Sequence, residues 1–259
     1  MKTIITVGSL FSGIGGLEKG LEDAQHDRYE FKTAWQVECD PYAQKVLAKH
    51  WPDCGRWDDV RTFPPYPTED WRVDVICGGF PCQGISAANY RAKGLADERS
   101  GLWSEYRRLL FLLRPRYVVI ENVPALAFRG LERVLCDLAS LGFDAQWETI
   151  PAQSLGAPII RERLFIVGSA SSERCKANEI FSRCTPKTAS EKQAARIREW
   201  PGKCQHSPSL PDRVRWCPDR SICRVADELP GRLDRYRGLG NAVVPQVAQW
   251  IGERILESL

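Results

Sequence analysis

At 259 residues, with 43% hydrophobic and 27% charged side chains, the chain has the size and composition of a globular protein that buries a core without cross-links. No run approaches the roughly 20 apolar residues of a membrane span, which sets membrane helices aside. The net charge of +3 is unevenly placed: residues 169–237 carry fifteen Lys and Arg against nine Asp and Glu, so the remainder sums to −3. A basic segment on a mildly acidic body suits a polyanion.

Thr3 to Leu10 is β-branched and apolar and predicts a buried parallel strand. Three glycines, Gly13, Gly15 and Gly16, separate it from a helix over Leu17 to Asp23. Phe31 to Val37 predicts a second strand ending at Glu38; Asp40 and Pro41 then cap and open a helix to about His50. Val73 to Cys77 is a short strand that runs into Gly78-Gly79-Phe80-Pro81, an irregular turn. A helix is expected from Ser100 to Leu113, stopped by Pro115, with a strand over Tyr117 to Ile120 that ends at Glu121. One helix over Leu126 to Leu141 closes at Gly142, and strands follow over Ala145 to Ile150 and Leu164 to Gly168. The segment from Ser169 to Pro230 is polar and irregular, with four prolines between Trp200 and Cys223. Apolar helical periodicity returns over Val243 to Leu256 despite Pro245. This alternation predicts an α/β fold with a doubly wound sheet.

The N-terminus lacks the apolar stretch and cleavage site of a secretory signal, so the ten cysteines are expected as reduced thiols in the cytoplasm. Cys77 and Cys136 are expected in the core. Cys204, Cys217, Cys223 and His206 match no common zinc spacing, and no metal is expected.

Five features carry chemistry on their own terms. The turn Phe11-Ser12-Gly13-Ile14-Gly15-Gly16 lets backbone approach a ligand, and its pattern is not the Gly-x-Gly-x-x-Gly of a dinucleotide fold. Glu38 stands at the second strand's end, where an acid can accept from both ribose hydroxyls of an adenosine; Asp59 could take the adenine amino group. Cys82 follows a strand's carboxyl end, where open α/β sheets bind ligands, and an attacking thiol there needs help to ionise. Glu121 ends the neighbouring strand and, partly protonated, could donate to a ring nitrogen. Arg161 and Arg163 alternate along an extended segment and can face one site.

Taken together, Phe11 to Gly16, Gly79-Phe80-Pro81-Cys82-Gln83, Glu121-Asn122-Val123, Arg161-Glu162-Arg163 and Gly240-Asn241-Ala242-Val243 resemble, in order, the motif set of cytosine-5 DNA methyltransferases of the short phage or bacterial kind. The resemblance covers about three quarters of the chain and spares mainly residues 169–230. It implies a Rossmann-like S-adenosylmethionine-dependent methyltransferase fold with a mixed sheet and a small recognition region inserted before the C-terminal helix. The implied division is a catalytic and cofactor-binding part over 1–168, a recognition region over 169–237, and a helix over 238–259 that returns to the catalytic part.

The resemblance makes Cys82 the thiolate that adds to cytosine C6, Glu121 the holder of the base's N3 and amino edge, and Arg161 and Arg163 the groups that position the pyrimidine carbonyl and nearby backbone. It implies S-adenosylmethionine on Phe11, Gly13, Ile14, Gly15, Gly16, Glu38, Asp59, Val60, Gly79, Pro81, Leu102, Asn241 and Val243. Gln83 and Ser86 fall in a loop that closes over a base flipped from double-stranded DNA. The expected form is a monomer without a membrane partner, and a role in restriction-modification fits the short type. Three departures stand out: the recognition region is short, the family's motif just before the Asn241 segment is not clear, with Arg224 to Asp227 and Arg232 to Arg235 as its candidate remnants, and Cys39 replaces a bulkier side chain. Two other readings compete. A transfer RNA enzyme of the family would carry a Cys-Phe-Thr tripeptide, which the sequence lacks. A non-catalytic DNA-binding relative would usually lack the cysteine or glutamate, and both stand here.

Overall fold

The computed structural model describes residues 1–65, 71–81, 102–157, 159, 161–170, 180–181 and 238–259. Its centre is a seven-stranded sheet of order β3-β2-β1-β4-β5-β7-β6. The strands are β1 (Thr3–Leu10), β2 (Tyr29–Val37), β3 (Gly55–Trp57), β4 (Val75–Gly78), β5 (Tyr117–Asn122), β6 (Phe143–Pro151) and β7 (Glu162–Ala170). The first five in chain order pair in parallel, while β7 runs antiparallel to both β5 and β6. All ten residues of β4 and β5 are buried, as central parallel strands covered on both faces should be.

Alternate side chains feed two cores. On one face Leu10, Ile76, Val118, Ile120 and Ile166 pack under α3 (Leu102–Leu113) and α5 (Leu131–Ser140). On the other, Ile5, Val7, Val75, Val119 and Val167 pack under α1 (Gly16–Glu22) and α6 (Pro245–Ser258). The helices α1 and α6 touch closely: a Cβ on Gly20 would lie 2.2 Å from the Pro245 carbonyl oxygen and 2.4 Å from the Ala248 Cβ. Each Leu fully buried in these layers contributes about 2 kcal/mol relative to an exposed one.

Local chemistry explains the element ends. The Asp40 side chain accepts from the Tyr42 and Ala43 amides, both at 2.9 Å, and Pro41 takes the first position of α2 (Pro41–His50). Pro245 likewise opens α6 rather than interrupting it. The single helix expected over 126–141 is two, α4 (Leu126–Arg129) and α5, because Gly130 sits at φ 148° and breaks the backbone hydrogen-bond ladder. The strand β3 escaped the sequence reading, since three residues carry no periodicity. Cys77 is fully buried as expected, whereas Cys136 lies on the outer face of α5 and is exposed. Ser100 and the cysteines at 204, 217 and 223, with His206, lie outside the described residues.

The sheet continues past residue 168 to Ala170. Ile180 is buried against the second core, and the Phe181 ring stacks on Trp250 of α6 at 6.2 Å. Among the described residues no helix is long and apolar enough to cross a membrane, and no cluster of His, Cys, Asp and Glu could hold a metal.

Candidate active site

A cavity of about 330 Å³ opens at the carboxyl ends of β1, β2, β4 and β5. One wall is the turn after β1. It is held in a strained shape, with Phe11, Gly13 and Gly15 at φ 55°, 56° and 88°. The left-handed conformation at Phe11 costs about 1–2 kcal/mol, which the surroundings must offset. Hydrogen bonds do this: the Ser12 amide donates to the Val37 carbonyl at 3.2 Å, and the Gly15 amide to the Ser12 carbonyl at 3.0 Å. The Glu38 carboxylate accepts from the Gly13 amide at 2.6 Å and from the Asp40 amide at 2.8 Å. Glu38 therefore belongs to the scaffold of the turn as well as to the wall of the cavity.

Gly16 joins this wall to the chain's end. A Cβ there would lie 2.5 Å from the Val243 carbonyl oxygen, so only glycine admits the 241–243 segment. That segment, with a helical turn over 238–241, closes the cavity from the far end of the sequence.

The floor is built from the two central strands. Asn122 donates to the Phe80 carbonyl at 3.2 Å and accepts from the Val123 amide at 2.9 Å, tying the turn after β4 to the turn after β5. Phe80 packs on Trp103, whose indole N–H donates to the buried Asp137 carboxylate at 2.9 Å. Glu121 projects into the cavity and is 9% exposed; Arg163 reaches it from β7 with Nε 2.8 Å from Oε1. Burial raises the Glu121 carboxyl above the ordinary carboxylate range, and the guanidinium groups of Arg163 and Arg161 oppose that rise. Gly79 leaves room for this carboxyl, since a Cβ there would stand 2.5 Å from Oε2.

Arg161 donates from Nη1 to the Gly240 carbonyl at 2.8 Å. Its Nε and Nη2 are buried without a hydrogen-bond partner among the described residues. Burial first, and the charge of Arg163 second, draw this guanidinium below its ordinary range.

The structure thus gathers Phe11, Gly13, Ile14, Gly16, Glu38 and Gly79 around one cavity, and adds Pro81, Glu121, Arg163, Asn241 and Val243 to them. Arg161 stands at its margin through Gly240. Four expected cofactor residues are not among its lining. Gly15 turns instead against Trp51, 2.4 Å from where a Cβ would be. The Asp59 carboxylate accepts from the Arg61 side chain at 2.9 Å and the Arg61 amide at 3.0 Å, and Arg61 holds it below the usual range. Val60 and Leu102 pack in or against the first core. Cys82, Gln83 and Ser86 lie outside the described residues; Pro81, the residue before Cys82, lines the cavity. Sequence reasoning assigned no cofactor or base role to Tyr42 and Asn122, which also line it. Tyr42 could have been found from its place in the first turn after Glu38, and Asn122 from its adjacency to Glu121.

The family model for C-5 cytosine-specific DNA methylases matches residues 5–214. A type II methyltransferase of Bacillus subtilis is 28% identical over 96% of this chain and 75% of its own length. Against seven other curated type II methyltransferases that it matches, the chain spans only 39–50% of their length. Among solved structures, a DNA modification methyltransferase encoded within an E. coli prophage is 29% identical, with a TM-score of 0.54 over 66% of this chain and 48% of its own. An Entamoeba histolytica methyltransferase superposes over 98% of both chains with a TM-score of 0.64; at 14% identity that likeness concerns the fold alone.

Proposed function

The chain belongs to the C-5 cytosine-specific DNA methylase family, and we propose that it transfers a methyl group from S-adenosylmethionine to C5 of a cytosine flipped out of double-stranded DNA. The observation that carries this reading is the meeting of Glu121, paired with Arg163 at 2.8 Å, and the glycine turn around one cavity, with Pro81 delivering the chain to Cys82. The seven-stranded mixed sheet is the Rossmann-like sheet of methyltransferases, which implies this cofactor.

The cavity residues suit S-adenosylmethionine. Each Glu38 oxygen accepts one backbone N–H and keeps a lone pair for a ribose hydroxyl. Phe11, Ile14 and Val243 offer apolar surface beside it. When bound, the cofactor supplies an electrophilic methyl on a sulfonium.

The chain's own residues prepare the base. Cytosine C5 is a poor nucleophile until an electron pair is pushed into the ring. The Cys82 thiolate forms a bond to C6, and the electrons of the C5–C6 double bond become available at C5. A proton on Glu121, favoured by burial, stabilises the charge that gathers toward N3. Arg161 Nε and Nη2, unpartnered among the described residues, are donors suited to the pyrimidine carbonyl or a nearby phosphate. After C5 is methylated, loss of its proton and breaking of the sulfur–C6 bond restore the ring and free Cys82. Residues 169–237, basic in balance, act as the region that selects the cytosine, while 1–168 and 238–259 perform the chemistry. We expect a soluble cytoplasmic monomer acting within a restriction-modification or self-protection role.

The test is labelling of DNA and of transfer RNA, separately, by radiolabelled cofactor, with wild type and Cys82→Ser. Label in DNA that the variant abolishes supports the reading, as does a covalent adduct with 5-fluorocytosine DNA. Label confined to transfer RNA would overturn the choice of polymer, and equal turnover by Cys82→Ser would overturn the mechanism.

A further inference from the structure

Directly beneath the glycine turn lies a polar cluster that the proposed chemistry does not use. Glu18, in the first turn of α1, has no exposed surface, and Gln36, near the end of β2, is 1% exposed. Gln36 Nε2 donates to Glu18 Oε1 at 3.4 Å. The other two oxygens, Glu18 Oε2 and Gln36 Oε1, are buried and have no hydrogen-bond partner among the described residues. Both are acceptors, and orphaned buried acceptors are costly. One hydrogen shared between them satisfies both, and of these two oxygens only the carboxyl's can carry it. Reversing the Gln36 amide would bring two oxygens to 3.4 Å and would again require a proton on Glu18.

We infer that Glu18 carries a proton below neutral pH, that in this form it makes a two-point acid–amide pair with Gln36, and that this pair positions the cofactor turn. The surroundings agree. The buried Cys77 thiol of β4 and Cys54 before β3 both feel the charges of Glu18 and of Glu22 on the same helix; the cation Arg56 acts on Cys54, and no cation is among the groups that shift Glu18 itself. From β1 and its turn only the Ser9 and Ser12 hydroxyls approach the carboxyl. The helix α6 presents Ala248 and the backbone of Pro245 and Gln249 to α1 at Gly20. Burial without a cation pushes the Glu18 carboxyl up to about 7, more than the hydroxyls, the Gln36 amide and the backbone lower it.

The pair sits where it can act on the site. Gln36 precedes Val37, whose carbonyl holds the Ser12 amide, and Glu38, whose carboxylate holds the Gly13 amide. The Ser12 hydroxyl donates to Ser9 Oγ at 2.9 Å, within the same cluster. Ser12, Gly13 and Leu17, the residue before Glu18, all line the cavity. Ionised Glu18 would set a charge against the orphaned Gln36 oxygen in a dry site and separate α1 from β2, opening the turn. Glu18 is therefore a positioning residue, and its role rests on the reading of this cavity as the cofactor site.

The experiment titrates the full chain with S-adenosylhomocysteine by calorimetry from pH 6 to 8.5, for wild type, Glu18→Gln and Glu18→Ala. Infrared spectra of the ligand-free proteins report the protonated carboxyl stretch. Wild-type affinity should fall about 30-fold from pH 6 to 8.5 as the competent, protonated form is depleted above neutrality. Glu18→Gln supplies an N–H where the acid supplied O–H, so it should bind like wild type at pH 6 and keep that affinity at pH 8.5. Glu18→Ala should bind more weakly throughout, and the carboxyl band seen in wild type at pH 6 should vanish in Glu18→Gln. A wild-type affinity without pH dependence, or the same slope in Glu18→Gln, would overturn the positioning role. Absence of the band would overturn the acid–amide pair. Absence of binding by every variant would sink the cofactor reading and the positioning role with it, while the infrared band would still decide the pair.

Discussion

Gly79→Ala isolates the placement of Glu121 from the stability of the fold. Gly79 is not in the left-handed region, so alanine suits its backbone and the only obstacle is what the new methyl meets. The methyl would stand 2.5 Å from Glu121 Oε2 and 3.2 Å from the Glu121 carbonyl oxygen, where ordinary contact begins at 3.4 Å. The carboxyl must therefore retreat by about 0.9 Å, and it drags on the 2.8 Å pairing of Oε1 with Arg163. A displacement near 1 Å at a group proposed to meet N3 of the base should cost about 100-fold in rate, equivalent to about 2.7 kcal/mol of transition-state stabilisation. Stability should fall by no more than about 1–2 kcal/mol, because the nearest atom ends a side chain that can move. Single-turnover methyl transfer to DNA at saturating cofactor, with urea unfolding alongside, measures both. A rate within about threefold of wild type would refute the assignment of Glu121 to the base.

Other substitutions test the frame around the site. Gly20→Ala should lose about 1–3 kcal/mol in urea unfolding, because its methyl would meet the Pro245 carbonyl at 2.2 Å where α1 and α6 touch. Trp103→Phe keeps the ring beneath Phe80 but removes the indole donor to Asp137; a loss of about 1–2 kcal/mol is expected, limited because Arg107 and Arg133 still pair with that carboxylate. Glu18 also makes stability fall as pH rises. Between its ordinary value of 4.5 and about 7 the folded chain keeps a proton that the unfolded chain releases, so about 3 kcal/mol present at acid pH is lost by the time pH passes 7. The difference in unfolding free energy between wild type and Glu18→Gln, followed from pH 4.5 to 8, should show that slope; a flat difference would contradict a protonated Glu18.

Much of this protein was legible in one dimension. Apolar runs such as Thr3 to Leu10 and Tyr117 to Ile120 are long enough to announce buried parallel strands, and Asp40-Pro41 announces a helix start, because these signals act within a few residues. The order of Phe11 to Gly16, Pro81-Cys82, Glu121 and Arg161 to Arg163 likewise resembles a family before any contact is known. What tertiary structure decided are relations between distant segments. Gly130 breaks a helix that periodicity draws as continuous, and Cys136 proves exposed because helix phase, not composition, sets its direction. Glu38 supports the turn that it was expected only to face, and Gly16 must be glycine because Val243, more than two hundred residues later, lies against it. Glu18 is the sharpest case: in sequence it is a charged residue on an ordinary helix, and only the packing of β1, β2 and β4 around it removes the water that would keep it ionised. Local preferences select elements, but the solvation of each carboxyl is set by every segment that surrounds it, and no window of sequence contains them all.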